Sequence, residues 1–507
     1  MRFTAAGNDR LLGLTQPLTE PKWDWSRDFR TIMSRALDLV ANDPLAAAMV
    51  AAKMQGTHGP TGLHRRSLAT LDDNSTATAD ERTLRRQIEH GLDTTWTTTF
   101  DTAGLLTRKE SEIALDWMAT VLGEGFLIRV WRPDRKNARY ATTWRLLRPE
   151  RISNPDNRPN DDRLYHGMEL DGNGEIIAVH VEEGHTGPFG YRTRQSWMRI
   201  PWVAKDGTPN VIHRVGWRMP GMIRGISMFA PLLLLLKQLA GTTEAHVVAK
   251  RAQACTPVIY YVEDPEAAAK AARSSAIIGA NTQFNPMQVY YAKIGQEVVF
   301  PQMNYQGTDF DAFFKICSRI LCATWQVPVE VVLAQMGEAS LSSARAGLDQ
   351  FDRTAQTWQN DHEMQASRPI DESYIREDVA RGRIQEGETG LAGLLPCRYS
   401  RPPKYSTDRL KDANTVQAQI DAGRSKTAAF ADMGWSFEDE TEERIRDEEF
   451  ERQAREEAGL LPDVALDETQ TEAASASTII NMPQAVTGRS YRINRDKAGQ
   501  ATGIEIT

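Results

Sequence analysis

The chain has 507 residues, of which 41% are hydrophobic and 25% charged, and it carries a formal net charge of −8. That length supports several folded units, and the negative balance argues against a sequence-reading DNA binder with a basic face. Cys255, Cys317, Cys322 and Cys397 lack paired close spacing, which argues against a disulfide framework and against a thiolate metal centre.

Residues 1–25 read as an N-terminal arm; Asp9, Glu20 and Asp24 interrupt any apolar stretch that could serve as an export signal. Ile32, Leu39, Val40, Ala47, Val50 and Met54 then recur at helical spacing. Asn42, Asp43 and Pro44 divide this segment into two helices, with Pro44 in the first turn of the second and Gly56 as its stop. His58 and His64 fall in the loop after it, without local partners for a metal. Two further helices are expected over LRRQIEHGLDTTWTTTF and RKESEIALDWMATVLGEGF.

Between Phe126 and His213 the period falls to two, with turns at Asp171-Gly172-Asn173-Gly174 and Lys205-Asp206-Gly207. This pattern predicts a small antiparallel β-barrel or sandwich packed on the helices. A long helix is expected from near Pro231 to Ala254. Its apolar run, Phe229 to Leu236, falls well short of the roughly 20 residues that span a bilayer. Residues 255–307 read as a small α/β insertion, and DFDAFFKICSRILCATWQ returns as a second helix that ends before Pro328. A connector containing Gly337 follows, and then a long helix that Ser340 or Ser342 could cap. Helices are expected again near Tyr374 to Ile384, near Asp408 to Met433 and over residues 438–457, where Glu and Arg at i,i+4 spacing indicate a solvated face. Residues 461–507 read as a flexible tail.

The chain contains no GxxxxGK[ST] phosphate loop, HExxH zinc helix or GxSxG elbow. An ATP-driven motor is thereby excluded, no cofactor or metal is implied, and no catalytic residue is assigned. Cys317 and Cys322, five apart on one helix, read as ordinary buried residues.

Five blocks, in order, resemble the lambda-type phage portal family. They are SRALDLVANDPL, the Gly123-Glu124-Gly125 strand entry, LYHGMELDGNGEIIAV, the block from Arg218 to Pro231, and VPVEVVLAQMGEASLSSARAG. In the fourth, Arg218, Pro220, Gly221, Arg224, Gly225, Ser227, Ala230 and Pro231 follow the family pattern with Met219 inserted. In the fifth, Ala339, Ser340 and Leu341 depart from it.

The resemblance implies an α+β, mainly helical portal fold. Its parts would be a wing of helices and a small β-barrel (26–225), a helical stem (226–254 and 308–326), an α/β clip (255–307), a tunnel loop with a wing helix (327–371) and a helical crown (372–460). It further implies a virion protein, assembled in the host cytoplasm into a homo-oligomeric ring of twelve that conducts double-stranded DNA without reading its sequence. Implied partners are the terminase large subunit, head-tail connector or adaptor proteins and the major capsid protein, with no membrane.

The DNA-facing tunnel loop would hold Gln335, Met336, Gly337, Glu338, Ser340, Ser342, Ser343 and Arg345. Lys250, Arg251 and Arg353 are candidates for rings of positive channel charge, with solvated or intersubunit ion pairs as the plainer reading. The rival functions are another head adaptor or a hydrolase or nuclease with carboxylates assembled by folding.

Overall fold

The computed structural model describes residues 28–71, 79–183, 196–218, 220–254, 258–261, 289–292, 307–334, 341–402, 409–432, 437–457, 491–495 and 501–506. The chain divides into a unit up to Ser436 and a second unit, Phe437–Thr507.

Helix α1 (Phe29–Asn42) and helix α2 (Pro44–His58) meet at Asp43, whose Oδ1 accepts from the amides of Leu45 (2.8 Å) and Ala46 (3.0 Å). The Asn-Asp-Pro break therefore acts as read, the cap satisfying amides that have no carbonyl partner in a first turn. Gly56 is not the stop. Helix α2 continues to His58 and ends at Gly59, whose φ of 54° lies in the region glycine enters freely. Gly56 instead marks a close approach, because a Cβ there would sit 3.0 Å from Phe351. His58 is thus a buried helical residue rather than a loop residue, and His64 opens strand β1 (His64–Ser67) with its ring stacked on Trp96 at 4.2 Å.

Helix α3 (Ala79–Asp93) and helix α4 (Arg108–Val121) follow, the latter closed by a reciprocal Thr107–Glu110 capping box. Strands β2 (Glu124–Trp131), β3 (Thr142–Leu147), β4 (Leu164–Tyr165), β5 (Met168–Leu170), β6 (Ile176–Glu182), β7 (Trp197–Pro201) and β8 (Val211–Val215) form two antiparallel sheets, ordered β3-β2-β8 and β4-β5-β6-β7. Phe126, Ile128, Leu147 and Val211 of the first share a core with Met168, Val179 and Val181 of the second. Among the described residues this is a pair of facing sheets rather than a closed barrel. The Trp202 amide still donates to the Ile177 carbonyl (2.9 Å) beyond Pro201, and a turn at 204–208 then carries the chain back to β2.

Helix α5 (Leu233–Ala254) starts two residues after Pro231. Within the insertion, strands β9 (Val258–Tyr261) and β10 (Val289–Ala292) pair in parallel; its expected helix lies outside the described residues. Helix α6 (Gly307–Thr324) returns antiparallel to α5, since Phe229 packs on Trp325 (4.8 Å between ring centroids) at one end and His246 on Phe310 (4.2 Å) at the other. Cys317 and Cys322 are buried there, as the plain reading held.

After the short helix α7 (Val329–Leu333), helix α8 spans Leu341–His362, so Ser342 stands inside the helix and cannot be its cap. A π turn, Glu363–Ser367, joins α8 to helix α9 (Arg368–Ala380); helix α10 (Gly390–Leu394) and strand β11 (Cys397–Ser400) follow. Strand β11 pairs antiparallel with β1, and Ile370, Tyr374 and Ile375 are buried in the same core as Phe100 and Trp144. Residues of α9 thus share the core of the N-terminal helices, and β11 pairs with β1. Helices α11 (Arg409–Asp421) and α12 (Lys426–Asp432) complete this unit.

In the second unit, helix α13 (Phe437–Glu457) carries an exposed Arg444–Glu448 pair. Strands β12 (Tyr491–Arg495) and β13 (Ala501–Ile506) form an antiparallel pair within the stretch read as a flexible tail. Tyr491, Ile493, Ile504 and Ile506 alternate as a hairpin requires.

Candidate functional site

The chain entering α5 is fixed by a buried ion cluster. Glu124 and Arg224 are paired through Glu124 Oε1 and Arg224 Nε, and Glu124 Oε2 accepts from the Gly225 amide (3.0 Å) and contacts His213 Nε2 (2.8 Å). Burial raises the Glu124 carboxyl pKa, but Arg224 and His213 outweigh it and hold the group below its ordinary range. Arg224 also donates to the carbonyls of Pro149 (3.0 Å), Ile152 (3.3 Å) and His166, so one guanidinium clamps this turn to both sheets. Gly123 has φ of 98°, and a Cβ there would fall 2.6 Å from the carbonyl carbon of Ile226. A Cβ on Gly225 would fall 2.2 Å from the Gly123 oxygen, so neither glycine has room for a side chain. Ser227 Oγ accepts from the Phe229 amide (3.1 Å), and Trp325 Nε1 donates to the Met228 carbonyl (3.2 Å), tying the end of α6 to the start of α5.

Beyond this base the two helices carry apolar side chains in water. Phe313, Ile316 and Ile320 of α6 are 43%, 57% and 53% exposed and recur at i, i+3, i+7. On α5, Leu234 (71%) and Val248 (57%) line a groove of about 1320 Å3 shared with Ile32, Leu39, Leu45 and Val332, with Arg35, Asp38, Lys237 and Arg251 around it. Among the described residues no helix is long and apolar enough to cross a membrane.

The candidate channel residues are not brought together within one subunit. Gln335, Met336, Gly337, Glu338 and Ser340 lie outside the described residues; Ser342 and Ser343 are placed only by the backbone of the first turn of α8. Arg345 is half-buried in that helix, and Arg353 is exposed two turns further on. Lys250 and Arg251 are exposed at the end of α5, and of these cations Arg251 alone lines the groove.

The profile of the lambda family of phage portal proteins matches residues 8–359. The chain belongs to that family. It is therefore a phage portal protein, a structural component of the virion at the portal vertex rather than an enzyme. Portal protein B of Escherichia phage lambda is 24% identical to this portal protein over 385 residues, 67% of each chain. The portal protein of Escherichia phage N15 is 22% identical over 380 residues, 67% of this chain and 68% of the relative. Similar solved structures are a chain from the virion of the native gene transfer agent particle and one from the neck of that particle, the latter computed with C12 symmetry. The first has a TM-score of 0.42 at 15% identity and covers 84% of this chain and 96% of its own. The second has 0.43 at 14% identity and covers 82% and 94%.

Two portal-family blocks noted in the sequence, Gly123-Glu124-Gly125 and Arg224-Gly225, thus prove to be the two halves of the clamp. Sequence reading missed a second buried network in this portal protein. Asp116 pairs with Lys53 (3.1 Å) and Arg214 (2.9 Å); Arg108 pairs with Glu112 (2.8 Å) and Asp371 (2.7 Å). His362 Nε2 and Ser367 Oγ each lie 3.3 Å from Glu112 Oε2. Burial pushes the Glu112 carboxyl up, but Arg108 and His362 hold it down at about 2. The members come from α2, α4, β8, α8, the π turn and α9, and only the lone charges inside apolar-faced helices could have announced them.

Proposed function

We propose that this portal protein closes into a ring, twelve-membered in the virion, through which double-stranded DNA enters and leaves the head. The observation that carries the reading is the pair of unlike apolar surfaces on α5 and α6: a stripe of Phe313, Ile316 and Ile320, and a groove that includes Leu234 and Val248. Closed rings are built head to tail, so each subunit needs two different adhesive faces. Patches of this kind are unusual on a protein that stays monomeric.

In this reading α5 and α6 are the stem and residues 255–307 the clip that meets the terminase large subunit and, later, the head-tail connector proteins. Residues 26–225, with the wing helix of 327–371, form the wing against the major capsid protein, and 372–460 the crown. The segment 335–343 with Arg345 faces DNA as the tunnel loop, and Lys250, Arg251 and Arg353 contribute charge only when repeated around the axis. A net charge of −8 suits a conduit, since tight neutralisation of phosphates would pin a duplex that has to slide.

Native mass measurement with negative-stain imaging tests the reading. Rings near twelve copies are expected of the purified chain. The double variant Ile316→Glu, Ile320→Glu is expected to give folded monomers, and a monomeric wild type under all assembly conditions overturns the proposal.

A further inference from the structure

Helices α2, α4 and α8 bring His58, Asp116 and His362 together in the interior, with one ligand-competent atom from each lying within 4.8 Å of the others. All three residues are buried, at 2%, 0% and 0% exposure. His58 Nε2 and His362 Nδ1 have no hydrogen-bond partner; Asp116 Oδ1 is ion-paired with Arg214 at 2.9 Å, and His58 Nε2 lies 3.7 Å from Asp116 Oδ2. A buried polar atom left unmatched costs about 1–3 kcal/mol, so the two imidazole nitrogens beside Asp116 call for an occupant. His362 Nε2 faces Glu112 at 3.3 Å, which places the ring proton on that nitrogen and leaves the Nδ1 lone pair directed away from the carboxylate. A carboxylate behind the second ring nitrogen is the usual support of a metal-bound histidine.

We infer that His58, His362 and Asp116 form a binding site for a divalent transition ion of the zinc class, which pins α2, α4 and α8 to one another. Two imidazole nitrogens and one carboxylate oxygen suit zinc or cobalt, whereas calcium and magnesium select all-oxygen sets. Tetrahedral bonds of about 2.0–2.1 Å put neighbouring ligand atoms roughly 3.4 Å apart, so binding draws the trio inward. The charges facing the site are Lys53 and Arg214 on Asp116, with the Arg108–Glu112–Asp371 set behind His362. Lys53 competes with the metal for Asp116 Oδ2, and its removal favours binding.

The test uses the full chain, made without a histidine tag, loaded with Zn2+ or Co2+ and freed of excess by gel filtration. One ion per chain is expected by elemental analysis, with the visible absorption of Co2+ in a low-symmetry nitrogen and oxygen site. His58→Gln and His362→Gln are each expected to lose the ion while circular dichroism shows a folded chain. Lys53→Met, which keeps packing against Trp358, is expected to bind about tenfold more tightly or better. A wild type that retains no ion, or full retention by both histidine variants, overturns the inference and leaves a trapped water as the occupant. Should a histidine variant fail to fold, the wild-type count and the Lys53→Met titration decide.

Discussion

Glu124 shows how much one side chain carries. Its two oxygens hold Arg224, His213 and the Gly225 amide, none of them near it in the chain. Removing its charge strands a buried guanidinium, which costs about 3–5 kcal/mol. Glu124→Gln is accordingly expected to lower the unfolding midpoint in denaturant sharply, and an unchanged midpoint would show that the clamp is dispensable. Histidine sets the acid limit. Burial and the neighbouring His58 hold His362 down at about 4, and burial with Arg224 does the same to His166, against an ordinary 6.5. Both are neutral in the folded chain while the unfolded chain takes up protons below 6.5. Stability is therefore full above that pH and falls as pH drops from 6.5 toward 4, by up to about 1.4 kcal/mol per unit for each ring. Chemical denaturation across this window checks the sign, and His166→Gln should flatten the slope.

At the scale of elements, the legible features were those signalled locally. Asn42-Asp43-Pro44 announces a helix break within three residues, and Asp43→Ala is expected to cost about 1 kcal/mol in a denaturation midpoint. Gly56 misled because a glycine late in a helix reads equally as a stop or as a contact, and only the presence of Phe351 distinguishes them. The two-sheet unit was legible as alternating strands, but that β8 pairs with β2 rather than with β7 is a tertiary outcome. The tail hairpin went unread although Tyr491, Ile493, Ile504 and Ile506 alternate, because its polar surroundings dominate the composition. Of the sites, the Arg224 turn was marked by family blocks. The trio His58, Asp116 and His362 had no spacing to mark it, since three helices far apart in sequence meet only on folding.

At the scale of the whole molecule, α5 and α6 share the main core at their base through Leu236, Leu239, Leu321 and Trp325, and among the described residues Val248, Phe313 and Ile316 farther along them stand exposed. In the ring proposed above, these faces are what a neighbouring subunit covers. Light scattering of Ile316→Glu, Ile320→Glu should show less concentration-dependent association than wild type; equal association would place the adhesive faces elsewhere.

The pairing of β1 with β11 has a further consequence in time. His64 meets Ser400, and Arg65 hydrogen-bonds the Leu395 carbonyl at 2.8 Å, so an early ribbon waits for a partner translated near the end of the chain. During synthesis that ribbon's edge stays open while some three hundred residues emerge from the ribosome, and a chain cut before residue 397 is expected to leave β1 without its pairing partner.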